Sequence, residues 1–302
     1  MIEEYANKLI DNLPTKPDKP TRIDLVLDGG LFNGSYLVGA LCFLKEMERR
    51  NYVKIERISG CSIGSIIGLL YCIDSLDMTE SLYTILYKNI KTTRDFSILK
   101  EIRALLGDKL TEDSLKLVNK RLYVTYNNIQ KRAKQVKHMY NSVDELIHTI
   151  IKSCFIPCAI DGNLLYKEKY IDGIFPYIFE PKKGRRILHL DLLGYDKIYN
   201  VACVKNERTN FHRILSGLLD IHTFYVKQSN TSMCSYIDNW GVYHKGINYC
   251  RRTLEMYLVY IIYFAVFFKN RVPNCVANNI TSKIAIKLLY ETYKILVETY
   301  IV

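Results

Sequence analysis

Apolar positions along the chain switch repeatedly between two periods. Residues 23–27, IDLVL, form a short β-branched run of the kind that fills a buried strand. Asp28-Gly29-Gly30 ends it. Leu37, Leu41, Leu44 and Met47 then recur at three- and four-residue steps, with Lys45, Glu46, Glu48 and Arg49 on the other side, which predicts an amphipathic helix. A second strand is expected just before Gly60. The run SIGSIIGLLYCI that follows is apolar nearly all round and predicts a buried helix, with Gly64, Ser65 and Gly68 as a close-packing side. Residues 75–120 read as amphipathic helix with a turn at Leu106-Gly107-Asp108, and RLYVTY from Arg121 as a strand. DELIHTIIKSCFIP predicts a helix with Asp144 near its start and Pro157 stopping it. The Asp161-Gly162 turn leads into two short strands, and RRILHLDLL at 185–193 is a further strand. Beyond about residue 205 the pattern is mainly helical.

Strands alternating with helices predict an α/β protein with a largely parallel, buried sheet. The expected organisation is a leader over 1–21, a catalytic domain over 22–195, and a mainly helical extension over 196–302 packed on that domain. Three prolines in 13–21 make the end of the leader extended. The segment 253–268, TLEMYLVYIIYFAVFF, contains Glu255 and is shorter than the ~20 apolar residues of a membrane span. It is expected to be a buried or interfacial helix.

Composition narrows the class. Hydrophobic residues make up 49% and charged residues 24%, a globular balance that excludes a disordered or fibrous chain. The net charge of +11 favours anionic partners, either lipid surfaces or nucleic acid. The basic clusters at Lys131–Lys137, Lys182–Arg186 and Arg251–Arg252 lack the interleaved aromatics of a single-strand binding groove, so nucleic acid is not the expected partner. They read as solvated faces, or, for the second, as a rim near the site. Nine scattered cysteines without a C-x-x-C, behind an N-terminus lacking an apolar signal core, fit reduced thiols and predict a cytoplasmic chain without a zinc site.

Three elements carry candidate chemistry. Gly60-Cys61-Ser62-Ile63-Gly64 is a G-x-S-x-G between a strand and a helix. Such a turn holds the serine away from the sheet, near a helix N-terminus that favours developing negative charge. A serine between glycines is also an ordinary turn. The turn Asp28-Gly29-Gly30-Leu31-Phe32-Asn33-Gly34 suits an anion: a phosphate, or the oxyanion of acyl transfer. Leu31 breaks a full dinucleotide-binding G-x-G-x-x-G. Tyr170-Ile171-Asp172-Gly173 places an aspartate after a short strand, as a general base or a turn cap.

In this order the blocks resemble the patatin-like phospholipase family. LVLDGGLFNGSYLVGALCFLKEM resembles its first block and ISGCSIGSIIGLLY its serine block. IIKSCFIPCAI, with Ser153 and Pro157, resembles the block before the aspartate, and YIDGIFP the aspartate block. The resemblance covers roughly residues 22–193. It implies a three-layer α/β/α fold and a lipid acyl hydrolase of phospholipase A type working at membrane surfaces without a cofactor or metal. It further implies Ser62 as nucleophile, Asp172 as general base, and an oxyanion hole from Gly29, Gly30 and Leu31, with Ile63 as a further donor. Gly60, Gly64, Asn33, Gly34 and Gly173 would support the motifs. The chain departs from the family where a third glycine is Leu31, where the usual basic residue is Asn33, and where a second glycine after the aspartate is Ile174. A degenerate lipid-binding form and a lipase for triacylglycerol or other carboxylesters are the alternatives. A conventional triad would instead recruit His189, His212 or His222.

Overall fold

The computed structural model describes residues 2–13, 16–205, 207, 209–269 and 271, and scattered positions between 287 and 299. The elements in chain order are α1 (Ile2–Asp11), β1 (Thr21–Leu27), α2 (Gly34–Arg49), β2 (Val53–Cys61), α3 (Ile63–Cys72), α4 (Thr79–Thr93), α5 (Ile102–Leu106) and α6 (Ser114–Val118). They continue with β3 (Leu122–Asn128), β4 (Ala133–Lys137), α7 (Val143–Cys154), β5 (Tyr170–Asp172), β6 (Arg186–Leu190), α8 (Phe211–Lys227), β7 (Cys234–Tyr236) and α9 (Val242–Lys269).

One mixed sheet runs β4-β3-β2-β1-β6-β7, with β5 also paired to β3. Strands β1, β2, β3 and β6 are parallel, and β4, β5 and β7 pair antiparallel. Strand side chains alternate between the two faces. Ile23, Leu25, Leu27, Leu122, Val124, Leu188 and Leu190 join the main core with α1, α2, α3, α7 and α8. Val26 and Ile187 face the other way, against Phe179, Tyr123 and Tyr177. Helix α9 lies on that second side and completes an α/β/α arrangement, with Val259 buried against Ile129 and Ile171.

Helix α8 belongs to this core. A Cβ on Gly39 of α2 would overlap the Ile214 carbonyl, and one on Gly217 of α8 would overlap that of Tyr36. Only paired glycines let these helices pack backbone to backbone. At the other end, Ala6 and Ile10 of α1 are fully buried, so the segment ahead of the proline-rich stretch is core helix.

Two strands were not legible in the sequence. The basic stretch 131–137 forms the turn and edge strand β4, where charge protects an exposed sheet edge. Three-residue β7, in the region expected to be helical, covers the other edge. The expected extension beyond Arg271 lies largely outside the described residues.

Candidate active site

The sheet register builds the site. Leu27 at the end of β1 pairs with Gly60, so the turn after β1 and the turn after β2 leave the sheet side by side. Cys61 at the end of β2 pairs with Thr125 of β3. One residue further along β3, Tyr126 pairs with Asp172 of β5. Strand β4 occupies the other edge of β3 there, so β2 and β5 share a single edge. Asp172 therefore stands just beyond the end of β2, where Ser62 begins the turn into α3.

Ser62 has φ 50° and ψ −131°, a conformation an L-residue adopts only under constraint. The constraint is close backbone approach. A Cβ on Gly60 would lie 2.6 Å from the Gly64 carbonyl oxygen, and one on Gly64 2.6 Å from that of Asp28. The end of α7 clamps the turn. Ser62 N–H donates to the Ser153 carbonyl at 3.1 Å and to Ser153 Oγ at 3.0 Å, and Ser153 Oγ donates to the Thr125 carbonyl at 2.6 Å. The Ser153 carbonyl also accepts from Gly173 N–H at 3.4 Å, while the Phe155 carbonyl accepts from Asp172 N–H at 2.9 Å. Ser153 thus joins the serine turn to the aspartate turn. The sequence marked this block without revealing that role.

Asp172 is buried. Its Oδ1 accepts from Ile174 N–H at 2.7 Å, and its Oδ2 completes no well-formed hydrogen bond. Burial pushes the carboxyl up to about 6, opposed by the nearby Ser62 hydroxyl and Ile174 N–H and assisted by Glu255. Ser62 is close enough to favour the ionised form, yet stops short of a formed hydrogen bond.

The turn after β1 supplies donors. Gly29 N–H faces the Cys61 sulfur. The N–H groups of Gly30, Leu31 and Ile63 donate to no other described residue. Leu31 has φ 45° and Ile174 φ 56°, so both departures from glycine carry left-handed backbone. Each stores on the order of 1–2 kcal/mol of strain.

Asn33 is buried and buttresses this turn. Its Nδ2 donates to the carbonyls of Leu192 at 3.0 Å and Lys197 at 2.9 Å. Its Oδ1 accepts from Arg213 Nη1 at 2.7 Å. The fully buried Arg213 guanidinium, from α8, brings a positive charge against Asn33. Gly34 lets Ile63 approach, since a Cβ there would overlap it. Beside the turn opens a mostly apolar cleft lined by Leu31, Ile63, Ile67, Leu82, Leu86 and Leu99 among others.

The histidines have other partners. His189 Nε2 lies 3.0 Å from Asp28 Oδ1 and packs on Trp240. Burial opposes its charge, but the Asp28 carboxylate outweighs this and holds the imidazole above its ordinary value. His212 lies 3.6 Å from Glu207, and His222 packs on Phe43. None of these contacts includes Ser62 or Asp172. The basic cluster 182–186 precedes and begins β6, at the sheet end opposite the site, where Arg185 lies 3.4 Å from Asp24. It does not rim the site, because the reactive turns leave the C-terminal ends of the parallel strands. Among the described residues, no group of three or more His, Cys, Asp or Glu could hold a metal, and no helix is long and apolar enough to cross a membrane.

A serine on a strained strand–helix turn, a buried carboxylate and free backbone donors beside an apolar cleft thus meet at the C-terminal strand ends of an α/β/α fold. The patatin-like phospholipase family model matches residues 25–175, and the chain belongs to that family. The chain is similar to the omega-hydroxyceramide transacylases of Mus musculus, 27% identical over 177 residues, and Homo sapiens, 27% identical over 169 residues. These alignments cover 55% and 53% of this chain but only 29% and 31% of the two relatives. A chain in the heterodimeric ExoU–SpcU complex of the Pseudomonas aeruginosa type III secretion system aligns at 16% identity and TM-score 0.37, over 72% of this chain and 53% of that one.

Proposed function

We propose that the chain hydrolyses carboxylic esters of phospholipids through a Ser62–Asp172 dyad. The observation that carries this reading is the shared edge of β3, which puts a buried carboxylate with one uncommitted oxygen beside a strained serine. Ser62 Oγ attacks the ester carbonyl as Asp172 takes its proton. The tetrahedral oxyanion is held by N–H groups of Gly30 and Leu31 with Ile63. Collapse expels the alcohol, which recovers the proton from Asp172, and leaves an acyl group on Ser62. Water, activated by Asp172, then releases the fatty acid and restores the serine. The cleft along Leu31 and Ile63 takes the acyl chain.

Contact with lipid is supported by α9. Leu254, Tyr257, Ile261, Phe264 and Phe268 are exposed, and Arg252 beside them suits anionic headgroups. The transacylase activity for which the mammalian relatives are named favours a second reading, in which a lipid alcohol replaces water as acyl acceptor. The test is fluorophosphonate labelling together with fatty-acid release from phosphatidylglycerol vesicles, with and without an added long-chain alcohol. Wild type should label and release fatty acid, while Ser62→Ala does neither and stays folded. Unchanged labelling of Ser62→Ala refutes the dyad. Ester formation in place of fatty acid identifies the transacylase.

A further inference from the structure

Helix α9 is built inside out. From Leu254 onward its exposed residues are largely apolar, while its packed stripe carries His244, Asn248, Arg251 and Glu255 before reaching Val259. Arg251 and Glu255 are four residues apart and so lie on one face, a single turn from each other. Turning two opposite charges inward, Glu255 buried and Arg251 partly so, beside an exposed greasy face requires that each find a partner.

Those partners sit on the second face of the sheet, at the strand ends that form the site. Arg251 Nη1 lies 3.3 Å from Asp28 Oδ2, and its Nη2 bonds both Asp191 oxygens at 3.0 and 2.9 Å. Asp28 immediately precedes Gly29, and its own N–H is held by the Leu190 carbonyl at 3.2 Å. Glu255 Oε1 accepts from Asn127 Nδ2 at 3.0 Å, and the same Nδ2 donates to the Asp172 carbonyl at 3.0 Å. Glu255 Oε2 pairs with Lys134 Nζ at 2.6 Å, and that ammonium also reaches the Phe175 carbonyl at 2.9 Å. One end of this turn of α9 therefore holds the start of the oxyanion turn. The other holds the backbone of the general base and the loop after it.

We propose that Arg251 and Glu255 are positioning residues that set the separation of the two arms of the active site, Arg251 through Asp28 and Glu255 through Asn127. The inference rests on the hydrolase reading for its kinetic consequence and on geometry alone for its structural one. Loss of either contact lets one arm drift relative to the other, and a misplacement of about 1 Å costs on the order of 100-fold in rate.

Glu255 has a second, electrostatic effect, because its charge disfavours ionisation of Asp172. Among the described residues, the other ionisable groups nearest this charge pair are the thiols of Cys61 on β2 and Cys154 on α7, and Lys134 on β4, with Lys152 of α7 over the neighbouring tyrosines. Burial raises both thiols well above their ordinary value, so they stay neutral near pH 6. Lys152 lies over the rings of Tyr126 and Tyr170, and Lys134 is bound to Glu255 itself. The charge that Glu255→Gln removes is therefore the one read at Asp172.

The experiment uses the full chain with Arg251→Ala, Arg251→Lys, Glu255→Ala, Glu255→Gln and, as control, Cys250→Ser at an exposed neighbouring position. Ester hydrolysis gives kcat and KM, and carboxyl-labelled aspartate NMR gives the Asp172 midpoint, assigned with Asp172→Asn. Glu255→Ala and Arg251→Ala should lose roughly 10-fold or more in kcat with KM little changed. Glu255→Gln keeps the acceptor for Asn127, so it should recover most of kcat and move the Asp172 midpoint to lower pH. Arg251→Lys should leave that midpoint in place, and Cys250→Ser should match wild type. If the alanine variants do not fold, the lysine and glutamine variants decide by kcat and midpoint. Folded variants with wild-type kcat, or a Glu255→Gln midpoint equal to wild type, overturn the proposal. Absence of turnover by wild type refutes the hydrolase reading instead, and the NMR midpoint still tests Glu255.

Discussion

Replacing Asp172 by asparagine should make the protein more stable at neutral pH while abolishing turnover. In the folded chain burial raises the carboxyl from its ordinary 3.8 to about 6. Its acid form is the one the fold prefers, so the sign runs against that of a salt-bridged aspartate. Below pH 3.8 the group is neutral in both folded and unfolded chains and costs nothing. Between pH 3.8 and about 6 only the unfolded chain ionises it, so the cost grows at ~1.4 kcal/mol per pH unit, and it levels off at ~3 kcal/mol once the folded state ionises too. Asparagine removes that cost and keeps an acceptor for Ile174 N–H. It introduces an amide donor where Oδ2 has no formed hydrogen bond, which returns about 1–2 kcal/mol. The variant should exceed wild type by about 1–2 kcal/mol at pH 7.5. More diagnostic is the pH dependence: the difference should change by about 2.5 kcal/mol between pH 7.5 and pH 4, turning the advantage into a deficit of about 0.5–1.5 kcal/mol. Urea unfolding followed by circular dichroism at pH 4, 5.5 and 7.5 reads it directly. A stability difference that does not change with pH refutes the idea that Asp172 is held as a costly, desolvated base.

The same group sets the kinetics: kcat/KM should fall on the acid side with a midpoint near 6, as Asp172 gains a proton, and a limb at ordinary carboxylate pH would reassign the base. Leu31 has φ 45°, so Leu31→Gly should be more stable than Leu31→Ala by about 1 kcal/mol, reversing the usual preference for alanine; thermal melts that favour alanine would show the turn relaxes. Arg213→Ala should cost about 3–5 kcal/mol in denaturant, because it strands Glu207, Asn33 and two carbonyls, and a loss under 1 kcal/mol would mean the network is replaced by water.

Much of this site is legible in one dimension because its chemistry is local. A strand period of two, a helix period near 3.6 and a glycine on each side of Ser62 place that serine at a strand–helix turn without any tertiary information. The same holds for the Asp28–Gly34 turn and for Asp172 after a short strand. Period also marked 253–268 as a helix too short and too charged for a span. Tertiary structure decided everything that depends on pairing between distant segments. Ser62 and Asp172 meet because β2 and β5 share one edge of β3, and a register between strands leaves no trace in either strand's own pattern. Strands β4 and β7 are short edge strands, whose partners rather than their composition make them strands. Arg213 reaches Asn33 across 180 residues, where local reading registered only a missing charge. Glu255, which looked like an interruption in a greasy helix, and Arg251, which read as part of a solvated basic cluster, turn inward onto Asn127 and Asp28. Local sequence dictates which backbone shapes and reactive groups exist. Which of them face each other is set by long-range packing, where burial of charge pays only when the partner arrives from elsewhere in the chain.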